Sequence, residues 1–452
     1  MIKIEKKNKD EIRLSDHFTG VRLMRFVMPS IIMMIFTSVY GVVDGLFISN
    51  YAGKTAFAAL NLVYPLLMIL GGMGFMIGTG GSAIVAMTLG EGKGDKANEY
   101  FSMLVYVTIV MGVVLTALGF LCLKPAAVFL GAKGKMLEDC IVYGQIILAF
   151  QTAFMLQNVF QSFLITAEKP KLGLMVTIAA GLTNVVLDFL LVGVLKWGLV
   201  GAAVATGMSQ VIGGGIPMAY FASKNGSLLR LTRAKWEKWV FVKTCTNGSS
   251  EVMTNISSSV VSMLYNFQLM NVAGENGVAA YGVIMYMNFV FSAIYLGYAI
   301  GCAPIISYHY GAANYKELKN LFKKSLIMNG VTGFAMLAVA QMAAHPLSKI
   351  FVGYDRELFT MTENGFRLYA LAFIASGINI FGSALFTALG NGAVSAAVSF
   401  LRTLVFQMAS VLILPIYLGV NGIWLAIVAA EGLALAVTAG FMAVYRKKYR
   451  YV

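Results

Sequence analysis

Residues 25–49 read RFVMPSIIMMIFTSVYGVVDGLFIS, an apolar run broken by one proline and one aspartate. A helix needs about 20 mainly apolar residues to cross the hydrocarbon of a bilayer, and this run meets that length. Similar runs recur, separated by short polar breaks, as far as Tyr445. Outward from the first, the expected spans are Arg25 to Ser49, Ala56 to Thr88, Tyr100 to Leu123, Glu138 to Ala167, Leu172 to Leu195 and Gly198 to Ala222. A second set covers Val240 to Val272, Val278 to Tyr308, Phe322 to Ala344, Asn364 to Gly390, Ala393 to Tyr417 and Val420 to Val444. Composition agrees, because 59% of the 452 residues are hydrophobic and 12% are charged, against about 25% charged in a soluble domain. The chain reads as an all-α integral membrane protein of about twelve transmembrane helices.

The formal charge of +14 invites a nucleic-acid reading, but that needs a basic face on a soluble module, and here the charges sit in short loops. They report topology instead. With an even number of spans both termini share a side. If that side is cytoplasmic, 25 Lys and Arg fall on or beside inner segments and eight on outer ones, the asymmetry of the positive-inside rule. The stretch from Lys3 to Arg13 is too charged for a secretory leader, and no small-residue cleavage pattern follows, so the first apolar run is expected to stay as the first span. Cys122, Cys140, Cys245 and Cys302 show no metal-site spacing. Free thiols are expected, with a Cys122–Cys140 bridge as the alternative.

A repeat divides the chain. Sliding it by 221 residues pairs Gly53 with Gly274, Ala58 and Ala59 with Ala279 and Ala280, Gly80 with Gly301, Gly90 with Gly311, Phe101 with Phe322, Gly198 with Gly419, Gly201 with Gly422 and Ala205 with Ala426. Duplicated halves of six spans share one orientation and are related by a pseudo-two-fold axis along the membrane normal. The expected domains are a six-helix bundle over 1–222, a basic linker over 223–239 and a second bundle over 240–452. The cleft between the bundles is the natural substrate site. Arg230, Arg233, Lys235 and Lys238 mark the linker, and Trp236 and Trp239 beside it read as an interfacial anchor.

An ionisable side chain inside a span is costly, and so is a functional candidate. Four acids lie well inside spans, Asp44, Asp188, Glu251 and Glu431, with Arg402 the clear cation. Asp44 and Asp188 share a depth near the outer face. Tyr40 is one helical turn from Asp44, Asn184 one turn from Asp188, and Thr206 reaches the same level. Two carboxylates there cannot both ionise cheaply, which suits a proton carrier, and the oxygen set also suits a small hard cation such as Na+. A packing network is the plain alternative. Glu251, Arg402 and Glu431 form a second candidate group, read as a structural or cavity-lining ion pair rather than a coupling site. Pro29, Pro65, Pro217, Pro304 and Pro415 each remove a helix hydrogen bond and permit a bend; Pro29 shares its helix with Asp44. The 27 Met and 30 Phe fit a pliable cavity, and equally fit lipid-facing packing.

Catalytic signals fail. Gly53, Lys54 and Thr55 resemble the tail of a phosphate-binding loop, but Ile48 stands where its first glycine belongs. Gly92, Gly94 and Ala97 follow a membrane span rather than a strand. His17, His309 and His345 make no metalloprotease pattern.

PSIIMMIFTSVYGVVDGLFISNYAG in span one, TNVVLDFLLVG in span five and GCAPIISYHYGAANYKELKN around the end of span eight resemble the multidrug and toxic compound extrusion family, over nearly the whole chain. The likeness is greatest to its bacterial and archaeal DinF-like or MepA-like branch, which has an acidic N-terminal half. That resemblance implies coupling residues at Asp44, Asn184 and Asp188, with Tyr40, Asn158 and Thr206 nearby and Pro29 at a bend. Gly365 to Gly390 lacks the carboxylate that another branch carries on span ten. The resemblance further implies a cell-membrane exporter of amphipathic, often cationic compounds, working against inward H+ or Na+. The reading includes no cofactor beyond that ion, no resident metal, no enzyme activity, no nucleic-acid partner, and a functional monomer. A lipid-linked oligosaccharide flippase is the alternative, but its anionic cargo calls for several cleft Arg or Lys, and only Arg402 is at hand.

Overall fold

The structure is a computed structural model that describes residues 12–48, 51 and 54–452; side chains at 46, 54–58 and 61 fall outside the description. The basic residues from Lys3 to Lys9, the Ser49 end of the first expected span, Gly53 of the repeat pairing and the Gly53–Lys54–Thr55 side chains therefore lie outside what is described. Every regular element among the described residues is helical.

The spans are Gly20–Phe47 (span 1), Lys54–Gly90 (span 2), Gly94–Phe129 (span 3), Gly134–Ala149 with Gln151–Thr166 (span 4), and Pro170–Leu187 continued by a π-helical Asp188–Val194 (span 5). Span 6 is Gly198–Ala222, and Lys238–Gly311 runs as a single helical stretch of 74 residues. An unbroken helix of that length would measure about 110 Å at about 1.5 Å per residue, several times the hydrocarbon thickness. Gly274, with φ 63° and ψ −154°, turns the chain within it. That left-handed angle suits a residue without a Cβ, and it separates span 7 (238–273) from span 8 (275–311). Span 9 is Tyr315–Val352, span 10 runs from Arg356–Tyr369 to Phe373–Ala388, and span 12 is Val420–Tyr449. Span 11 joins Gly392–Phe400 to Phe406–Leu418 through a π-helical Leu401–Val405. Twelve crossings result, as the hydropathy predicts.

Two features differ from expectation. The helices overrun the apolar windows, because polar end turns outside the hydrocarbon remain helical once capped. The Thr19 and Asn314 side chains accept from the N–H groups of Arg22 and Glu317. Span 4, expected to be continuous, breaks by 53° between Ala149 and Gln151, with neither proline nor glycine at the bend. There the Phe150 ring presses on Gly207 of span 6, so packing rather than local propensity sets the break. Pro29 lies within the continuous helix of span 1. Cys122, Cys140, Cys245 and Cys302 are free thiols.

Span 2 runs against spans 7 and 8 along a seam of glycines in the half of the molecule nearer the chain termini. A Cβ at Gly80 would strike the Thr244 carbonyl, one at Gly248 the Met76 carbonyl, and one at Gly311 the Met87 carbonyl. Gly297 likewise meets the backbone of Ile31 in span 1. Asn247 crosses this seam, its Nδ2 donating to the Thr387 carbonyl at 2.8 Å and the Gly80 carbonyl at 3.4 Å. Toward the far face the seam loosens to side-chain contact, where a Cβ at Gly72 would stand 3.5 Å from Asn255 Nδ2.

The terminal face is strapped as well. The Leu14 N–H donates to Glu168 at 2.6 Å, while His17 Nδ1 lies 2.6 Å from Glu317 and the Phe18 N–H donates to Glu317 at 2.9 Å. The stretch after span 6 is not a free tether. The Arg230 N–H donates to Asn98 at 2.7 Å, the Thr232 N–H donates to Ser102 at 2.8 Å, and Leu229 is fully buried. Trp236 and Trp239 stay largely exposed, the placement an interfacial anchor requires.

A side chain at Gly248 has nowhere to go but into span 2. Gly248→Val is expected to destabilise the closed seam by about 1–3 kcal/mol, read as a lower melting temperature of the purified protein in detergent. An unchanged melting temperature would show that the seam is not tight.

Candidate functional site

Span 5 approaches span 1 because it carries glycine where the two cross. A Cβ at Gly181 would stand 2.5 Å from Phe36 Cε1 and 2.9 Å from Tyr40 Cδ1. One turn beyond Gly181 comes Asn184, and another turn beyond is Asp188, the first residue of the π-helical segment. A π turn widens the helix and often marks a functional position. Asn184 and Asp188 are almost completely buried, and both confront Asp44 on the last turns of span 1, together with Thr206 of span 6.

The four side chains converge without satisfying one another. Asp44 Oδ1, both carboxylate oxygens of Asp188, Asn184 Oδ1 and Thr206 Oγ1 are buried oxygens with no partner at hydrogen-bond geometry among the described residues. Buried polar atoms are nearly always paired, so five orphan oxygens at one point are unusual. Neither aspartate belongs to an ion pair among the described residues. The arrangement offers acceptors that a proton or a bare cation would bridge.

Tyr40 stands beside Asp44 and turns its hydroxyl to Gln157 of span 4. Tyr64 of span 2 and Tyr143 of span 4 lie within electrostatic reach of Asp44. Asn158 is buried, its Nδ2 without a partner among the described residues, and its neighbour Gln157 is the one that bonds Tyr40. Sequence reasoning missed Gln157, Tyr64 and Tyr143. The Gln157–Asn158 amide pair inside an apolar span was a usable signal, whereas nothing local distinguishes Tyr64 or Tyr143 from the other 19 tyrosines.

In the second half, Arg402 and Glu431 do meet. Arg402 Nε and Nη2 each lie 2.8 Å from Glu431 Oε1, and Asn379 Nδ2 donates to Oε2 at 2.7 Å. Glu431 is 1% exposed. Glu251 joins neither partner: it makes no hydrogen bond or ion pair among the described residues. It sits three residues after Gly248, on the stretch of span 7 that packs against span 2. Asn379, also missed, stands 221 residues after Asn158, so the repeat could have indicated it.

The geometry agrees with comparison to known proteins. A family model described as MatE matches residues 29–190 and again 252–413, so its two copies fall on the two halves at nearly the offset read from the glycines. The multidrug export protein MepA of Staphylococcus saprophyticus is 23% identical over 404 residues, which is 89% of this chain and 87% of that protein. MepA of Staphylococcus aureus is 22% identical over 92% of this chain and 91% of its own length. Among solved structures, the outward-facing conformation of a multidrug resistance MATE family transporter superposes with a TM-score of 0.92 at 21% identity, covering 99% of this chain and all of that one. A MATE crystal structure in the straight conformation gives 0.91 at 21% identity, covering 96% and 98%. With the family model matching both halves of a twelve-span fold, the chain belongs to the MatE family, that of multidrug and toxic compound extrusion.

Proposed function

We infer that this protein is a secondary active exporter that moves amphipathic, often cationic compounds out of the cell in exchange for inward protons. The confrontation of Asp44 with Asp188, buried among unsatisfied oxygens and paired with no Lys or Arg among the described residues, carries the reading. Two carboxylates this close cannot both hold a negative charge cheaply in a low dielectric, so a proton is retained until a change in cleft shape exposes the pair to the other side. The MepA relatives, named as multidrug export proteins, support the cargo class. The excess of Lys and Arg on the terminal side supports cytoplasmic termini in the plasma membrane. The tight glycine seam near those termini supports a state closed to the cytoplasm, with cargo held in the cleft between bundles 1–222 and 240–452 of a monomer.

The energetics suffice. A hundredfold outward gradient costs about 2.7 kcal/mol, and one proton entering across about 100 mV supplies roughly 2.3; a modest pH gradient makes up the difference. Sodium is the second reading, favoured because Asp44, Asp188, Asn184 and Thr206 each contribute at least one unpartnered oxygen, the donor type of a hard cation. A flippase for anionic lipid-linked sugars is disfavoured because Arg402, the cation such a cargo needs, is engaged by Glu431.

Dye efflux from proteoliposomes under an imposed pH gradient, and separately a sodium gradient, identifies the coupling ion. Asp44→Asn is expected to abolish efflux while leaving folded protein in the membrane, and Glu431→Gln to reduce it less. Undiminished efflux by Asp44→Asn would remove the proposed site. The same pair predicts a stability effect. At alkaline pH, where both carboxyls are driven toward the charged form, Asp188→Asn removes a like charge and adds a donor facing Asp44. The variant should then melt above wild type in detergent, and a lower melting temperature would contradict the repulsion.

A further inference from the structure

The two halves treat a buried carboxylate in opposite ways. Spans 10, 11 and 12 are the repeat counterparts of spans 4, 5 and 6, and they supply Asn379, Arg402 and Glu431. Tyr265, at the repeat position of Asp44 221 residues on, lies close enough to sense the charge of Glu431, as do Tyr295 of span 8 and Tyr369 of span 10. Both halves therefore build a site of one type, a carboxylate beside an amide and tyrosines. The difference is charge. The first half adds a second acid and leaves the oxygens unpartnered, whereas the second inserts a guanidinium that takes Glu431 Oε1 through two nitrogens at 2.8 Å. Arg402 stands in the π-helical Leu401–Val405, as Asp188 opens the π-helical segment of span 5.

We propose that the Arg402 guanidinium is a tethered cation that fills the second half's counterpart of the acidic site. It engages the Glu431 carboxylate and closes it to protons and metal ions from solution. Without that guanidinium, Glu431 becomes a second proton- or sodium-accepting carboxylate. The corollary, that exchange runs through one site rather than two, rests on the role inferred for Asp44 and Asp188. The occupancy of Glu431 does not rest on it.

The test is dicyclohexylcarbodiimide, which modifies protonated carboxyls within hydrocarbon, applied to the full chain in proteoliposomes and followed by peptide mass spectrometry. Wild type should give no adduct at Glu431, and Arg402→Gln should gain one, diminished by sodium if that ion binds. An adduct at Glu431 in wild type, or none in folded Arg402→Gln protein, would overturn the proposal. Should Arg402→Gln not be recoverable from membranes, recovery of Arg402→Gln/Glu431→Gln supports it, because the loss is then traced to an uncompensated Glu431. Loss of both variants would count against it. The adduct is read on the Glu431 peptide alone, so a failed Asp44→Asn efflux assay leaves this result unaffected.

Discussion

Hydrocarbon contains no water to solvate an ionised side chain, so each buried charge of this protein must be met by another part of the chain or by an ion from outside. Most of the 54 charged residues avoid the problem by lying in loops and end turns. Within the second half, Glu431 meets Arg402 and Asn379. In the first, Asp44 and Asp188 meet each other, a confrontation that like charges do not resolve. That contrast separates two copies of one fold: the second half meets its buried acid with a guanidinium, and the first sets one acid against another.

The same solvent constrains the backbone. Lipid supplies no hydrogen bonds to peptide groups, so the crossings are helical and departures from α geometry stay hydrogen-bonded. The two π segments, at Asp188 and around Arg402, satisfy this while altering the direction in which their polar residues leave the helix. Helix association cannot rely on excluding apolar surface from water, and instead uses close approach of small residues. The seam at Gly80, Gly248 and Gly311 follows that rule, with Asn247 fixing its register by donating to both sides. A contact made of backbone and small residues interlocks few long side chains.

Much of this was legible in the sequence because it depends on local composition. Crossing number follows from the length of apolar runs, and the repeat from glycines that a constant offset brings into line. Asp44, Asp188, Asn184 and Thr206 were placed together by counting residues from helix ends, which works because rise per residue is nearly constant. The resemblance pointed to Asn158, and counting did not indicate its neighbour Gln157, whose side chain reaches Tyr40. One position rotates a side chain by about 100° on a helix, and helix rotation is set by the neighbours. Counting also could not separate Glu251 from Arg402 and Glu431, with which it makes no hydrogen bond or ion pair among the described residues.

By itself, then, the sequence determined what can be read along one dimension: twelve crossings, two alike halves, a basic side and four acids well inside spans. The tertiary structure alone decided that Arg402 takes Glu431 and leaves Glu251 aside, that span 4 breaks at Phe150, that Gln157 reaches Tyr40, and that tyrosines from three spans stand around each site. Depth is a one-dimensional quantity fixed by counting along the chain, whereas facing depends on rotation and close packing among helices far apart in sequence.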